Sequence, residues 1–154
     1  MSGPFLSAGV FAGPVSNIDT TQQHELGLMR WDGGRILQYV KFGGNPAKYE
    51  WIQTDTAQFT EPYQVIQLAA SVTQVPLGVA EFGGSSGSFG WITRLGPATA
   101  KVATTAFAGS ELRPGGTAGT LGPIWTTAPT QFGGYGIAVA TGVANGSLVN
   151  VRCL

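Results

Sequence analysis

The side chains able to do covalent or acid–base chemistry are few and scattered. Asp55-Thr56-Ala57 follows Trp51-Ile52. A hydrolase built on an Asp-Thr triplet needs two carboxylates sharing one proton, so Asp55 works only across a homodimer axis. A turn aspartate is the plainer reading. His24-Glu25 offers an acid–base pair, but its nucleophile must come from a serine or from Cys153, which lies in an apolar strand pattern where a cysteine is usually a small buried side chain. The run Gly83-Gly84-Ser85-Ser86-Gly87-Ser88 has no lysine after it and opens no helix, so it fits a hairpin loop and not a phosphate cradle. Asn145-Gly146-Ser147 matches a glycosylation acceptor and, more simply, a tight-turn pair between strands. Trp31, Trp51, Trp91 and Trp125 each fall in or beside an expected strand. Packing is their default role, and sugar binding is the alternative.

Composition excludes more than the motifs admit. The chain has 154 residues, one ordinary domain, and 10% of them are charged against about 25% in a typical soluble domain. Eight basic and eight acidic residues cancel, and glycine occurs 24 times. So neutral a chain is expected to associate, with itself or with a larger surface. Without a Lys/Arg cluster, nucleic acid is not an expected partner. One histidine and one cysteine make neither a disulfide nor a metal site, and no cofactor or metal is expected. No apolar run approaches 18 residues and no basic leader precedes one, so neither membrane nor secretion is expected, leaving a cytoplasmic product.

The elements that must position these residues read as strands. Residues 1–24 carry Gly3, Pro4, Gly9, Gly13 and Pro14 among Phe5, Leu6, Val10, Phe11 and Val15. That density of breakers forbids a regular helix, while the apolar groups argue for an extended arm packed on something, and those five side chains are the expected partner contacts. Residues 25–42 form a hairpin around Asp32-Gly33-Gly34, which supplies the positive φ angles a tight turn needs. From 49 to 154 short strands are expected at Glu50–Gln53, Tyr63–Leu68, Pro76–Phe82, Phe89–Leu95, Ala100–Thr104, Ile124–Trp125, Gly136–Ala140 and Ser147–Cys153. Gly, Pro, Ser and Thr clusters separate them, the signature of a small antiparallel barrel or sandwich. One helical turn near Thr20–Glu25, capped by Asp19 or Thr20, is the only helix expected. The predicted fold is all-β: an extended arm at 1–24 and one β-rich domain at 25–154.

A weak internal repeat links the two ends of that domain. Leu77-Gly78-Val79-Ala80 recurs as Tyr135-Gly136-Ile137-Ala138, and Gly87-Ser88-Phe89-Gly90-Trp91-Ile92 as Gly146-Ser147-Leu148-Val149-Asn150-Val151. The offsets are 136 − 78 = 58 and 146 − 87 = 59. Two related hairpins, 77–95 and 135–154, can then close one barrel with approximate two-fold internal symmetry.

These blocks resemble the small head decoration, or cement, proteins of tailed phages. The matching stretches are Leu77–Leu95, Gly96–Val102, Ser110–Gly116 and Gly136–Leu154, with Leu26-Gly27 and Asp32-Gly33-Gly34-Arg35 through Tyr39-Val40-Lys41 before them. The resemblance covers 26–42 and 77–154; residues 1–24 and 49–75 match nothing in the pattern. It implies a β-barrel made in the host cytoplasm and carried on the capsid exterior of the virion. Its partners would be the major capsid protein and itself, as a homotrimer, in a clamp that binds and does not catalyse. The rival readings are a tail-fibre or glycan-binding receptor module and a small β-barrel hydrolase using Asp55.

Overall fold

The computed structural model describes residues 13–57, 63–71, 75–103, 106–114, 117–123, 135–139 and 146–153. Ten strands occur there: β1 (Met29–Asp32), β2 (Arg35–Phe42), β3 (Glu50–Thr54), β4 (Gln64–Gln67), β5 (Gly78–Ala80), β6 (Phe89–Ala100), β7 (Glu111–Pro114), β8 (Leu121–Pro123), β9 (Gly136–Ala138) and β10 (Ser147–Arg152). All belong to one hydrogen-bonded sheet in the order β1-β2-β4-β3-β5-β6-β10-β9-β7-β8. The chain is all-β, as its alternating short-period pattern predicts.

The sheet closes on itself twice. β2 also pairs antiparallel with β6, from Ile36↔Leu95 to Lys41↔Phe89, so β2-β4-β3-β5-β6 forms a five-stranded ring. The second ring uses the far half of β6, then β10, β9, β7 and β8, and returns through a parallel pairing of Val102 with Leu121. That pairing repeats the parallel β2·β4 contact Phe42↔Val65 of the first ring. Its backbone bonds repeat too: Gly43 N donates to Val65 O at 2.8 Å, and Ala103 N to Leu121 O at 2.9 Å.

The cores confirm the duplication position by position. The first ring encloses Val40, Phe42, Ile52, Val65, Ala80 and Ile92. By strand pairing their counterparts are Ala100, Val102, Leu112, Leu121, Ala138 and Val149, all buried in the second cluster. The spacing stays between 121 − 65 = 56 and 100 − 40 = 60 residues. The two related hairpins therefore lie in successive rings and do not face each other across one barrel. β6 is the last strand of one ring and the first of the next, so the relation is head-to-tail and not two-fold. The register also differs by two residues from the sequence match, since Gln38↔Ile92 corresponds to Ala98↔Val149. An even slip keeps each side chain on its own face, which is why the shifted match still looked similar.

β6 runs through Gly96-Pro97, where the sequence predicts a break between two strands. Cys153 N donates to Arg94 O at 2.9 Å, so residues 94, 96 and 98 turn their polar groups toward β10. Pro97 turns toward the opposite edge, where the β2 pairing has already ended at Leu95. Its missing N–H costs no ladder bond there. Gly96, at φ +96°, is the point where the strand leaves one ring for the other.

The expected helical turn at Thr20–Glu25 is absent. Asp19, its proposed cap, instead exchanges two 2.8 Å backbone hydrogen bonds with Phe89, and its carboxylate accepts from the Tyr39 hydroxyl at 3.2 Å. Cross-strand partners outcompete a single turn's worth of helix, which is costly to nucleate. The expected strand at Ile124–Trp125 lies outside the described residues; its neighbour β8 ends at Pro123.

Candidate functional site

Two polar anchors fix the geometry of the ring junction. Glu50 accepts from Lys101 Nζ at 2.7 Å, from Gln67 Nε2 at 2.8 Å and from Ala47 N at 2.9 Å. Glu81 accepts from Arg35 Nη1 at 2.7 Å, Thr93 Oγ1 at 2.9 Å and Thr99 N at 2.9 Å. Each carboxylate ties the first ring to the start of the second with both oxygens hydrogen-bonded, as a part-buried charge requires. Their role is structural, and nothing in the local sequence signals it because the charged partners, Lys101 and Arg35, are distant in the chain.

The sequence-derived chemical candidates do not converge. Asp55 accepts from Ala57 N at 3.1 Å and from Gln64 Nε2 at 2.8 Å, the bonds of a turn aspartate beside β4. The Gly/Ser run is an ordered hairpin loop: Ser88 Oγ donates to Ser85 O at 2.6 Å and Ser86 N donates to Asn45 Oδ1 at 2.7 Å. His24 packs its ring edge-on to Tyr39 at 5.0 Å and tilted against Trp91 at 5.4 Å. Among the described residues no three His, Cys, Asp or Glu side chains form a metal-binding group. Asn145 and Trp125 lie outside the described residues.

Cys153 is buried, with Sγ 3.8 Å from the Tyr135 carbonyl. Burial pushes its thiol up to about 12, against a smaller opposing pull from the Arg94 guanidinium. A thiol so raised is a poor nucleophile. It should resist alkylation in the native protein at about pH 8 and react fully once the protein is denatured. Because the folded state holds the protonated thiol, its stabilising effect is complete below pH 9 and is lost as pH rises through about 12. Rapid native-state labelling at about pH 8 would contradict this burial.

The surface offers a clearer candidate than any catalytic cluster. Residues 13–28 cross the outer face of the first ring. Val15, Leu26, Leu28 and Phe89 pack there, half-buried, on Leu37, Tyr39 and Trp91. Arg30 Nη1 donates to Gly13 O at 3.2 Å, Gln23 N to the Tyr39 hydroxyl at 3.2 Å, and Gly27 N to Tyr39 O at 2.8 Å. Burial raises the Tyr39 hydroxyl above its ordinary value; the Gln23 bond opposes this and the Asp19 carboxylate adds to it. Of the five arm residues, Val15 thus packs on the chain's own fold, and Phe5, Leu6, Val10 and Phe11 lie outside the described residues.

Exposed apolar groups sit elsewhere. Trp31 is 54% exposed on β1, which pairs with β2 alone among the described strands. Val139 and Leu148, about half exposed, adjoin across the β9–β10 ladder, where Val139 N donates to Leu148 O at 3.0 Å. Sequence alone treats Trp31 and Trp91 alike. Trp91 is buried because β2 and residues 13–28 flank it, whereas Trp31 lies on β1, which has β2 alone beside it among the described strands.

No protein-family model and no curated protein sequence matches the chain. Solved structures that share its fold include the following two. One is the N-terminal base of head fiber gp8.5 of bacteriophage phi29, at TM-score 0.51 and 19% identity, covering 75% of this chain and 90% of that one. The other is a chain of the capsid of Myoviridae phage XM1, at TM-score 0.56 and 14% identity, covering 86% of this chain and 94% of that one. The architecture described above is therefore one found in phage head structures.

Proposed function

We propose that the chain is a structural component of a tailed-phage virion: a decoration, or cement, protein on the capsid exterior that bridges neighbouring major capsid subunits, as a homotrimer. The observation that carries this reading is the shared fold with a head fiber base and a capsid chain across three quarters or more of the sequence. The block order of the sequence points the same way, and the separate structural settings of Asp55, His24 and Cys153 support a binding role. Low charge suits a protein surrounded by partners, and repeated copies on one lattice add their modest affinities.

The contact is assigned to Phe5, Leu6, Val10 and Phe11, ahead of the segment that packs on the first ring. Deleting 1–24 would strip Tyr39 and Trp91 of their cover, so the informative truncation stops at residue 12. Removal of residues 1–12 should leave the melting temperature unchanged while capsid occupancy falls by about tenfold or more, read by co-sedimentation with undecorated heads. Unchanged occupancy would refute the arm's role. Copy number in purified particles, by quantitative mass spectrometry, tests the wider reading. A ratio to the major capsid protein fixed by the lattice is expected, whereas a handful of copies would place the chain in the tail.

A further inference from the structure

The anchor at Glu50 differs from the one at Glu81 in what it holds. Glu81 binds a guanidinium, a hydroxyl and a backbone N–H, which do not react with one another. Glu50 binds an amine and a carboxamide, one on each oxygen: Lys101 Nζ on Oε1 at 2.7 Å and Gln67 Nε2 on Oε2 at 2.8 Å. The first is a nucleophile and the second an acyl donor. We propose that Lys101 and Gln67 join here through an isopeptide bond, with Glu50 carrying the protons.

The surroundings suit that reaction. One carboxylate bridging both groups holds them side by side, so a slow bimolecular condensation becomes a unimolecular one. The main chain beneath the lysine is pinned: Lys101 N donates to Tyr49 O at 2.6 Å, and Lys101 O accepts from Trp51 Nε1 at 3.0 Å. Gln67 is fixed opposite Ile52 in the β3–β4 ladder. A Cβ at Gly119 would stand 2.9 Å from Glu50 Cδ and 3.1 Å from Gln67 Nε2, so the Gly119 backbone roofs both groups. Glu50 is buried, which shields the base from water, whereas Gln67 is exposed, which gives the leaving nitrogen an exit.

The step balances without an oxidant or reductant. Glu50 takes a proton from the Lys101 ammonium, and the freed amine attacks Gln67 Cδ. The Nζ–Cδ bond forms and the Cδ–Nε2 bond breaks. Glu50 relays two protons in all from Nζ to Nε2, which departs as ammonium. The product ties β4 of the first ring to the residue that follows β6, across the joint between the rings.

The test is intact mass and peptide mapping of the full, folded chain, held at neutral pH until its mass is constant. The expected result is a protein lighter by one ammonia that yields a branched peptide joining Gln67 to Lys101. Mapping is essential, because an asparagine–glycine pair such as Asn145-Gly146 also loses ammonia by cyclising. Lys101→Arg keeps a cation beside Glu50 but removes the amine, and it should give no branched peptide. Glu50→Gln should slow formation by about a hundredfold or more. An unbranched parent of full mass, or ammonia loss that maps elsewhere, would overturn the bond. Equally fast branching in Glu50→Gln would overturn the proton relay. None of these readouts depends on capsid attachment.

Discussion

Replacing Gly96 with alanine is expected to destabilise the protein by about 2–5 kcal/mol, from two separable terms. The first is conformational: at φ +96° an L side chain is strained, costing about 1–2 kcal/mol. The second is steric. A Cβ at Gly96 would lie 2.7 Å from Gly34 O, 2.8 Å from Arg35 Cα and 2.9 Å from Arg35 Cβ. Those atoms cannot retreat cheaply, because Gly34 belongs to the β1–β2 turn and Arg35 is bound to Glu81. Gly87→Ala is the control, with φ +82° and open space around the new methyl, so it should show the conformational term alone. Thermal and denaturant melts of the pair decide the matter. Equal losses would mean that the strand crossing at Gly96 is looser than described; a Gly96→Ala loss near the upper end would consume much of a typical stability of about 5–15 kcal/mol.

Trp51→Ala should cost about as much, roughly 3–5 kcal/mol, and should act in an unexpected place. Trp51 is a β3 residue of the first ring, yet its side chain is fully buried in the cluster of the second, with Leu112, Leu121, Ala138 and Val149. Its indole N–H donates to Lys101 O at 3.0 Å, and the tip of its ring would stand 3.1 Å from a Cβ at Gly136. The space it fills is explained by the duplication: the second ring carries Ala100 and Val102 where the first carries Val40 and Phe42. Truncation therefore leaves a cavity inside the second ring and costs the Lys101 carbonyl the shorter of its two hydrogen bonds, the longer being the 3.4 Å bond from Leu121 N. Hydrogen exchange should accelerate at Leu112, Ala138 and Val149 before it does at Ile52, Ala80 and Ile92. Uniform acceleration across both rings would show that the two unfold as one unit and that the cavity is shared.

How much of this was legible in the sequence depends on how local the cause is. The β1–β2 hairpin was, because Gly33 at φ +56° and Gly34 at φ +86° supply their own signal. The strand positions of β3, β4, β5 and β10 followed from alternation and turn residues. The continuity of β6 did not, since Gly96-Pro97 is a breaker by every local rule, and only the change of partner strand makes it tolerable. The tyrosines at Tyr49 and Tyr63 carry φ of +70° and +67°, which no sequence rule assigns to an aromatic residue. The duplication explains one of them: Tyr49 N donates to Ala80 O as Gly109 N does to Ala138 O, so Tyr49 holds the backbone position that a glycine fills in the second ring. As for the candidate site, the arm's apolar content was readable, but the face it packs on was not. Val15 lies against Leu37, Tyr39 and Trp91, and a separation that long leaves no pattern.

A strand shared between two closed rings has a geometric corollary. β10 stands to the second ring as the near half of β6 stands to the first, so the operation relating the rings is a screw that can be applied again. Each application would add about 60 residues, four new strands and one more step along an axis. Iterated, it generates a rod of fixed pitch in which every junction resembles the one at Gly96, and two rings are the shortest segment of that polymer that contains a complete joint.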